Sequence, residues 1–219
     1  MTRRDNISET LLVGALLAVV GGFLDAYTYL CRGGVFANAQ TGNIVLLGVR
    51  LAQGNVLGGL YYIVPIFAFA AGVLAAEAIK QRYHNHDKFH WRQVVIAFEA
   101  LVLAAIAFIP QSGDMLANVL VSFVCSLQVQ SFRKIYGNAY ATTMCTGNLR
   151  SATECLWAFG RTKNTDDLKN CLHYGGVIVF FVIGSVIGAV LARLFGLYAI
   201  FFACAVLVAV FVLLFVEKH

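Results

Sequence analysis

The tripeptides Thr41-Gly42-Asn43 and Thr146-Gly147-Asn148 set the same three side chains at the start of two short apolar runs. A Thr hydroxyl there can accept from an orphan N–H of a first helical turn. Gly lets a second backbone or a solute approach closely, and Asn adds two donors and an acceptor. This is the chemistry of holding a polar solute rather than of breaking a bond. Asp25, flanked by Tyr27 and Tyr29, adds a carboxylate inside an apolar stretch, where an ionisable group is costly and by default a functional candidate. It can carry a proton or a cation, pair with a buried base, or lie near enough to an interface to be hydrated. Arg150 is the base to consider, one turn into the second short run where the first has Val45, and Gln128 and Gln130 stand in the region matching Asp25. The candidate substrate-binding set is therefore Thr41, Gly42, Asn43, Thr146, Gly147, Asn148, Arg150, Asp25, Gln128 and Gln130. The same residues could instead only cap and tie two loops together.

Other polar groups carry weaker signals. Glu99 lies within an apolar segment and suits a structural hydrogen bond as well as a role in transport. His84, His86, His90 and Asp87 share a charged stretch with no zinc spacing, so a solvated loop is the reading. Cys31, Cys125, Cys145, Cys155, Cys171 and Cys204 are scattered, with no C-x-x-C pair, and read as small buried hydrophobes. Nucleophile elbow, phosphate loop, H-E-x-x-H and kinase signatures are all missing. The expectation is a protein that is not an enzyme, with no cofactor and no metal.

The elements that must position these residues follow from composition. Apolar residues make up 60% of the 219 and charged ones 12%, against about 45–50% and about 25% in soluble domains. This is the composition of an all-α membrane protein. Crossing about 30 Å of hydrocarbon takes about 20 apolar residues. Six stretches meet or approach that: Leu11 to Leu30, Val56 to Ile79, Gln93 to Ile109, Met115 to Phe132, Leu172 to Leu194 and Leu197 to Val216. The first follows Arg3 and Arg4 but runs on without a cleavage site, and reads as a retained helix rather than a signal. Pro65 should kink the second span, and Pro110 to Asp114 should form a tight hairpin between halves. The stripe from Gly184 to Gly188 permits close helix packing, within the bundle or in a homodimer.

The runs 41–52 and 146–159 are helical in pattern but only about 18–21 Å long, too short to cross. If both crossed, eight Lys and Arg would fall on each side. If both are re-entrant, thirteen fall on one side and only Arg32, Arg50 and Arg193 on the other. The uneven split obeys the positive-inside tendency, so six crossings with both termini cytoplasmic are expected. The net charge of +5 then marks cytoplasmic loops, not a nucleic-acid partner. Three crossings per half is an odd number, so residues 1–110 and 111–219 should be inverted-topology repeats. Gly72 to Ala76 matches Gly188 to Ala192, and Phe23 matches Phe123, as a duplication requires. Both Thr-Gly-Asn motifs would then start half-helices near the midplane.

The block Gly22 to Leu30, the segment Gly33 to Asn43, Gln128 to Arg133 and Ala141 to Arg150 together resemble the YoaK-like family of small bacterial integral membrane proteins. The resemblance spans nearly the whole chain. It implies a bacterial inner-membrane location and a family of unknown function with no established substrate. The expected function is a transporter or channel for a small polar or anionic solute, with the lipid bilayer as its setting and a homodimer as one possible assembly. The alternative is a membrane scaffold or assembly protein that moves nothing.

Overall fold

The computed structural model describes residues 7–83 and 91–216; the His84, His86, His90 and Asp87 cluster lies outside them. The fold is helical. In chain order come α1 (Leu11–Cys31), α2 (Gln40–Ala52), α3 (Val56–Tyr83), α4 (Trp91–Ile106), α5 (Asp114–Ser131), α6 (Cys145–Thr162), α7 (Thr165–Phe195) and α8 (Phe201–Val216). Between α5 and α6 a small antiparallel hairpin pairs β1 (Lys134–Ile135) with β2 (Asn138–Ala139). Its turn, Tyr136 and Gly137, has positive φ at both positions, as a two-residue hairpin turn demands. That hairpin is not legible as a strand pattern in the sequence.

Local chemistry explains where the helices begin and end. Thr10 caps α1 by accepting from Val13 N, and the chain leaves α1 through Gly33 and Gly34, both at positive φ. Asn164 caps α7 by accepting from Asp166 N. Among the described residues, four segments are long and apolar enough to cross a membrane: Leu11–Cys31, Val56–Arg82, Gln111–Ser131 and Thr165–Phe215. The last takes in α7 and α8 and is broken at Gly196, whose φ is 56°. Helix α4 stops at Ile106 after 16 residues, about 24 Å, rather than running to Ile109. Helix α2 has 13 residues, and α6 has 18 but carries Arg150, Glu154 and Arg161.

The largest core forms where α1, α4, α5 and α8 meet, with Phe23, Leu24, Ile96, Leu103, Val121 and Leu207 completely buried. Outside it, α7 lies along α1 and α3 lies along α5, the two most extensive helix pairings. Each outer helix carries a short one, α6 on α7 and α2 on α3. Glycines make the outer pairings possible. A β-carbon on Gly188 would stand 2.7 Å from Phe23 O, and one on Gly72 would collide with Phe123 O. The Gly184 to Gly188 stripe thus packs inside the chain, against Val19 and Phe23 of α1.

Candidate functional site

Each short helix is tied to the loop before it by its Asn. Asn43 donates to Phe36 O at 2.6 Å and accepts from Phe36 N at 3.0 Å. Asn148 donates to Ala141 O at 2.6 Å and accepts from Ala141 N at 3.3 Å. Both reach seven residues back and both are buried. Their amides are consumed by these clasps rather than offered to a solute.

The threonines depart from the expectation that they cap. Helix α2 starts at Gln40 and α6 at Cys145, so Thr41 and Thr146 are second helical residues, and Ala39 and Met144 at the cap positions make no side-chain cap bond. The acceptor for α2 comes from another helix. Asp25 Oδ1 on α1 accepts from Asn38 N at 2.8 Å and from Ala39 N at 3.4 Å, just ahead of the helix start. The carboxylate therefore occupies the positive end of α2, where negative charge is favoured. At α6 the N-cap residue Met144 makes no side-chain cap bond.

A cavity of about 920 Å³ lies between α1, α3 and α7 and the starts of α2 and α6. Of the expected set, Asp25, Thr41, Thr146 and Gly147 line it. Two further residues reach it that spacing arguments passed over, Asn38 and Thr143. They stand three residues before Thr41 and Thr146, and this shared offset was the signal available in the sequence. In space they meet at Gly21 of α1. Asn38 Nδ2 donates to Gly21 O at 3.1 Å, and a β-carbon on Gly21 would stand 2.7 Å from the Thr143 methyl. Asp25 lies one turn along the same helix. Aromatic walls come from Tyr29, Phe36, Phe69 and Phe181.

Among the described residues, three that line this cavity each carry a buried side-chain oxygen with no hydrogen-bond partner: Asp25 Oδ2, Asn38 Oδ1 and Thr143 Oγ1. Their residues are only 5%, 4% and 5% exposed. Buried polar atoms are ordinarily paired, so three unpartnered oxygens on residues that line one cavity mark it as the candidate site.

The remaining expected residues lie elsewhere. Arg150 does not pair with Asp25. Its side chain is 79% exposed and bonds Glu154 at 2.8 Å, because its face of α6 turns away from the helix bundle. Gln130 bonds Glu77 of α3. Gln128 is buried and, with its amide nitrogen turned to Glu99, donates to Oε1 at 2.9 Å and Oε2 at 3.2 Å. Gly42 packs against the Phe36 ring and supports the loop.

Arg32, by sequence one of the few cations expected on the outer side, is completely buried. Its guanidinium donates to Ile106 O at 2.9 Å and Ile109 O at 2.8 Å at the end of α4, and to Asp114 Oδ1 at 3.1 Å at the start of α5. Sequence gives no cue to this, since those partners lie 74 to 82 residues away.

Residues 13–213, which include every cavity residue and both Thr-Gly-Asn motifs, match the family DUF1275, described as a protein of unknown function. The UPF0700 transmembrane protein YoaK of Bacillus subtilis (strain 168) is 26% identical over 193 residues, covering 83% of this chain and 82% of its own length. No solved structure matches the chain at a significant level. The transmembrane relative and the four apolar segments together make this an all-α, multi-pass membrane protein, homologous to a bacterial one.

Proposed function

The chain belongs to the DUF1275 family, and from that premise we propose that it is a transporter or channel for a small polar solute, held where the starts of α2 and α6 face one cavity. The observation that carries this is that cavity, lined at both helix starts and by Asp25, Asn38 and Thr143, buried residues that each carry a side-chain oxygen without a hydrogen-bond partner among the described residues. Irregular backbone at membrane depth is tolerated where it lines a polar cavity, and paired half-helix starts are a recurrent way to build a transport site. Arg150, which had leaned the expectation toward an anion, does not line the cavity.

The architecture proposed with it is a pair of inverted repeats, residues 1–110 and 111–219, with α2 and α6 re-entrant, six crossings and both termini cytoplasmic in a bacterial inner membrane. Its support is that the main helix pairings are unchanged when the two halves are exchanged. Replacing α1 by α5, α2 by α6, α3 by α7 and α4 by α8 turns the α1–α7 pairing into α5–α3, and α2–α3 into α6–α7. It turns α4–α5 into α8–α1 and leaves α4–α8 as it was. The Asn43 and Asn148 clasps exchange in the same way, as do the Gly188–Phe23 and Gly72–Phe123 contacts.

The experiment is flux in proteoliposomes. Folded protein should carry a small solute into vesicles, and Asp25→Asn should abolish that movement while the protein stays folded. Vesicles no leakier than protein-free ones to ions, amino acids, amines and carboxylates would overturn the proposal. They would favour the scaffold reading, which the clasps of Asn43 and Asn148 support to the extent that those amides serve the fold.

A further inference from the structure

Resting on the central-site reading, we infer that solute movement is coupled to a proton carried by Asp25, which is exchanged when the loop between α1 and α2 lifts off α1. That loop lies along one stripe of α1, at Gly21, Asp25 and Thr28. Asn38 Nδ2 donates to Gly21 O, Asn38 N and Ala39 N donate to Asp25 Oδ1, and Ala37 N donates to Thr28 Oγ1 at 3.3 Å. Asp25 is the ionisable member of the stripe. Its Oδ2 is shut off from solvent and has no hydrogen-bond partner among the described residues. The carboxyl group is thus sealed, with the loop's N–H groups on its one bonded oxygen.

Sealing decides the charge. A carboxylate cut off from water needs a counter-charge, and the start of α2 supplies only about half of one. Among the described residues no cation lines the cavity; α3 and α7 bring Ile66, Phe69, Ala70, Phe181, Ser185 and Ala189 to it. The titratable groups that feel the charge of Asp25 are Cys125 of α5, with Glu99 of α4 beyond it, and Cys145 at the start of α6, and none of them is cationic. The sealed form is therefore the protonated one, in which Oδ1 still accepts from the loop as a carbonyl oxygen. Water stabilises the ionised form, so losing the proton and lifting the loop favour each other.

The segment is built to move as one piece. Asn43 ties Phe36 to α2 from within, so the loop and α2 can shift together with that clasp intact. Gly33 and Gly34 at one end and Gly54 at the other stand at positive φ, where backbone rotation meets least resistance. The second half lacks the device. The exchange of halves that matches Phe23 with Phe123 puts Cys125 where Asp25 stands. Loop 136–144 is instead held to α7 by uncharged bonds, from Tyr174 Oη to Ala139 O and from Asn138 Nδ2 to Asn170 Oδ1. One side of the cavity answers to protons and the other does not.

Hydrogen exchange read by mass spectrometry on the purified full chain, corrected for the intrinsic pH dependence of exchange, tests this between about pH 5 and about pH 8. Peptides covering 36–41 should exchange about tenfold faster at the upper end of that range, and those covering 136–144 should not respond. Asp25→Asn keeps the acceptor but cannot ionise, so its loop should stay protected throughout, the sealed state in which flux is expected to stop. Asp25→Ala removes the acceptor and should expose the loop at every pH. Replacing sodium by choline in the buffer should change nothing. A wild-type loop indifferent to pH, an Asp25→Asn loop that still responds, or protection that follows sodium instead of pH overturns the coupling. Solute flux in proteoliposomes beside a pH-indifferent loop overturns the coupling and leaves the central site standing. A pH-responsive loop in a protein that moves no solute overturns the central site, and the coupling with it.

Discussion

Gly188 of α7 lies so close to Phe23 of α1 that a β-carbon would stand 2.7 Å from the Phe23 carbonyl oxygen. The neighbour in the way is backbone, which cannot swing aside as a side chain can. Lipid offers helices no hydrophobic drive to associate, so close backbone approach at small residues carries much of the packing. Gly188→Ala is expected to lower stability by about 1–3 kcal/mol through overpacking. Gly72→Ala should do the same through Phe123, whereas Gly175→Ala, with open space at its β-carbon, should not. Thermal unfolding of the three variants in one detergent checks the order.

The two Asn clasps give a second expectation. Asn43→Ala and Asn148→Ala each strand a half-buried backbone N–H and C=O, of Phe36 and of Ala141. Each should cost about 1–3 kcal/mol, seen as a lower melting temperature and as easier proteolysis of the loops 33–39 and 136–144. Asp replacements restore the acceptor alone and should recover only part of the loss. A variant with wild-type melting and no solute binding would instead make the amides part of the site.

How much of this was legible depends on how far the chemistry reached along the chain. The two helix starts could be found because Thr-Gly-Asn is written twice, and the Asn clasps are local enough to follow from such a motif. The capping role given to Thr41 and Thr146 failed because the acceptor at α2 is Asp25, thirteen residues before Asn38 and on a different helix. Arg150 was correctly placed one turn into α6, but its distance from the helix start says nothing about which face it occupies. On the exposed face it meets Glu154, four residues on. Asn38 and Thr143 are ordinary loop residues until the loops fold onto Gly21 and bring them together.

Arg32 supplies a third test. It is buried completely, and its fork joins the end of α4 to Asp114, while its own carbonyl accepts from Asn118 Nδ2 at 2.7 Å. It therefore ties α1 to the connection between the two halves. Arg32→Met leaves those carbonyls and the carboxylate without their donor and should cost about 3–5 kcal/mol. Arg32→Lys keeps the charge but not the planar fork and should recover little. Asp114→Asn, at a partner 20% exposed, should be milder. The yield of monodisperse protein and its melting temperature rank the variants, and an unaffected Arg32→Met would mean that water replaces the guanidinium.

Glu99 and Gln128 provide the last. Glu99 is completely buried on α4, and the Gln128 amide on α5 reaches both of its oxygens. The pair sits away from the cavity lining, so a packing role across the α4–α5 contact is the expectation rather than contact with the solute. Glu99→Gln keeps hydrogen-bonding capacity at the same size and should preserve both melting and flux. Gln128→Leu abandons a buried carboxyl group in the core and should be the more damaging change. Glu99→Ala removes the carboxyl but opens a void and leaves Gln128 unsatisfied, at a cost of about 1–3 kcal/mol. Flux lost in a fully stable Glu99→Gln protein would show that the carboxyl takes part in transport, despite its position outside the cavity.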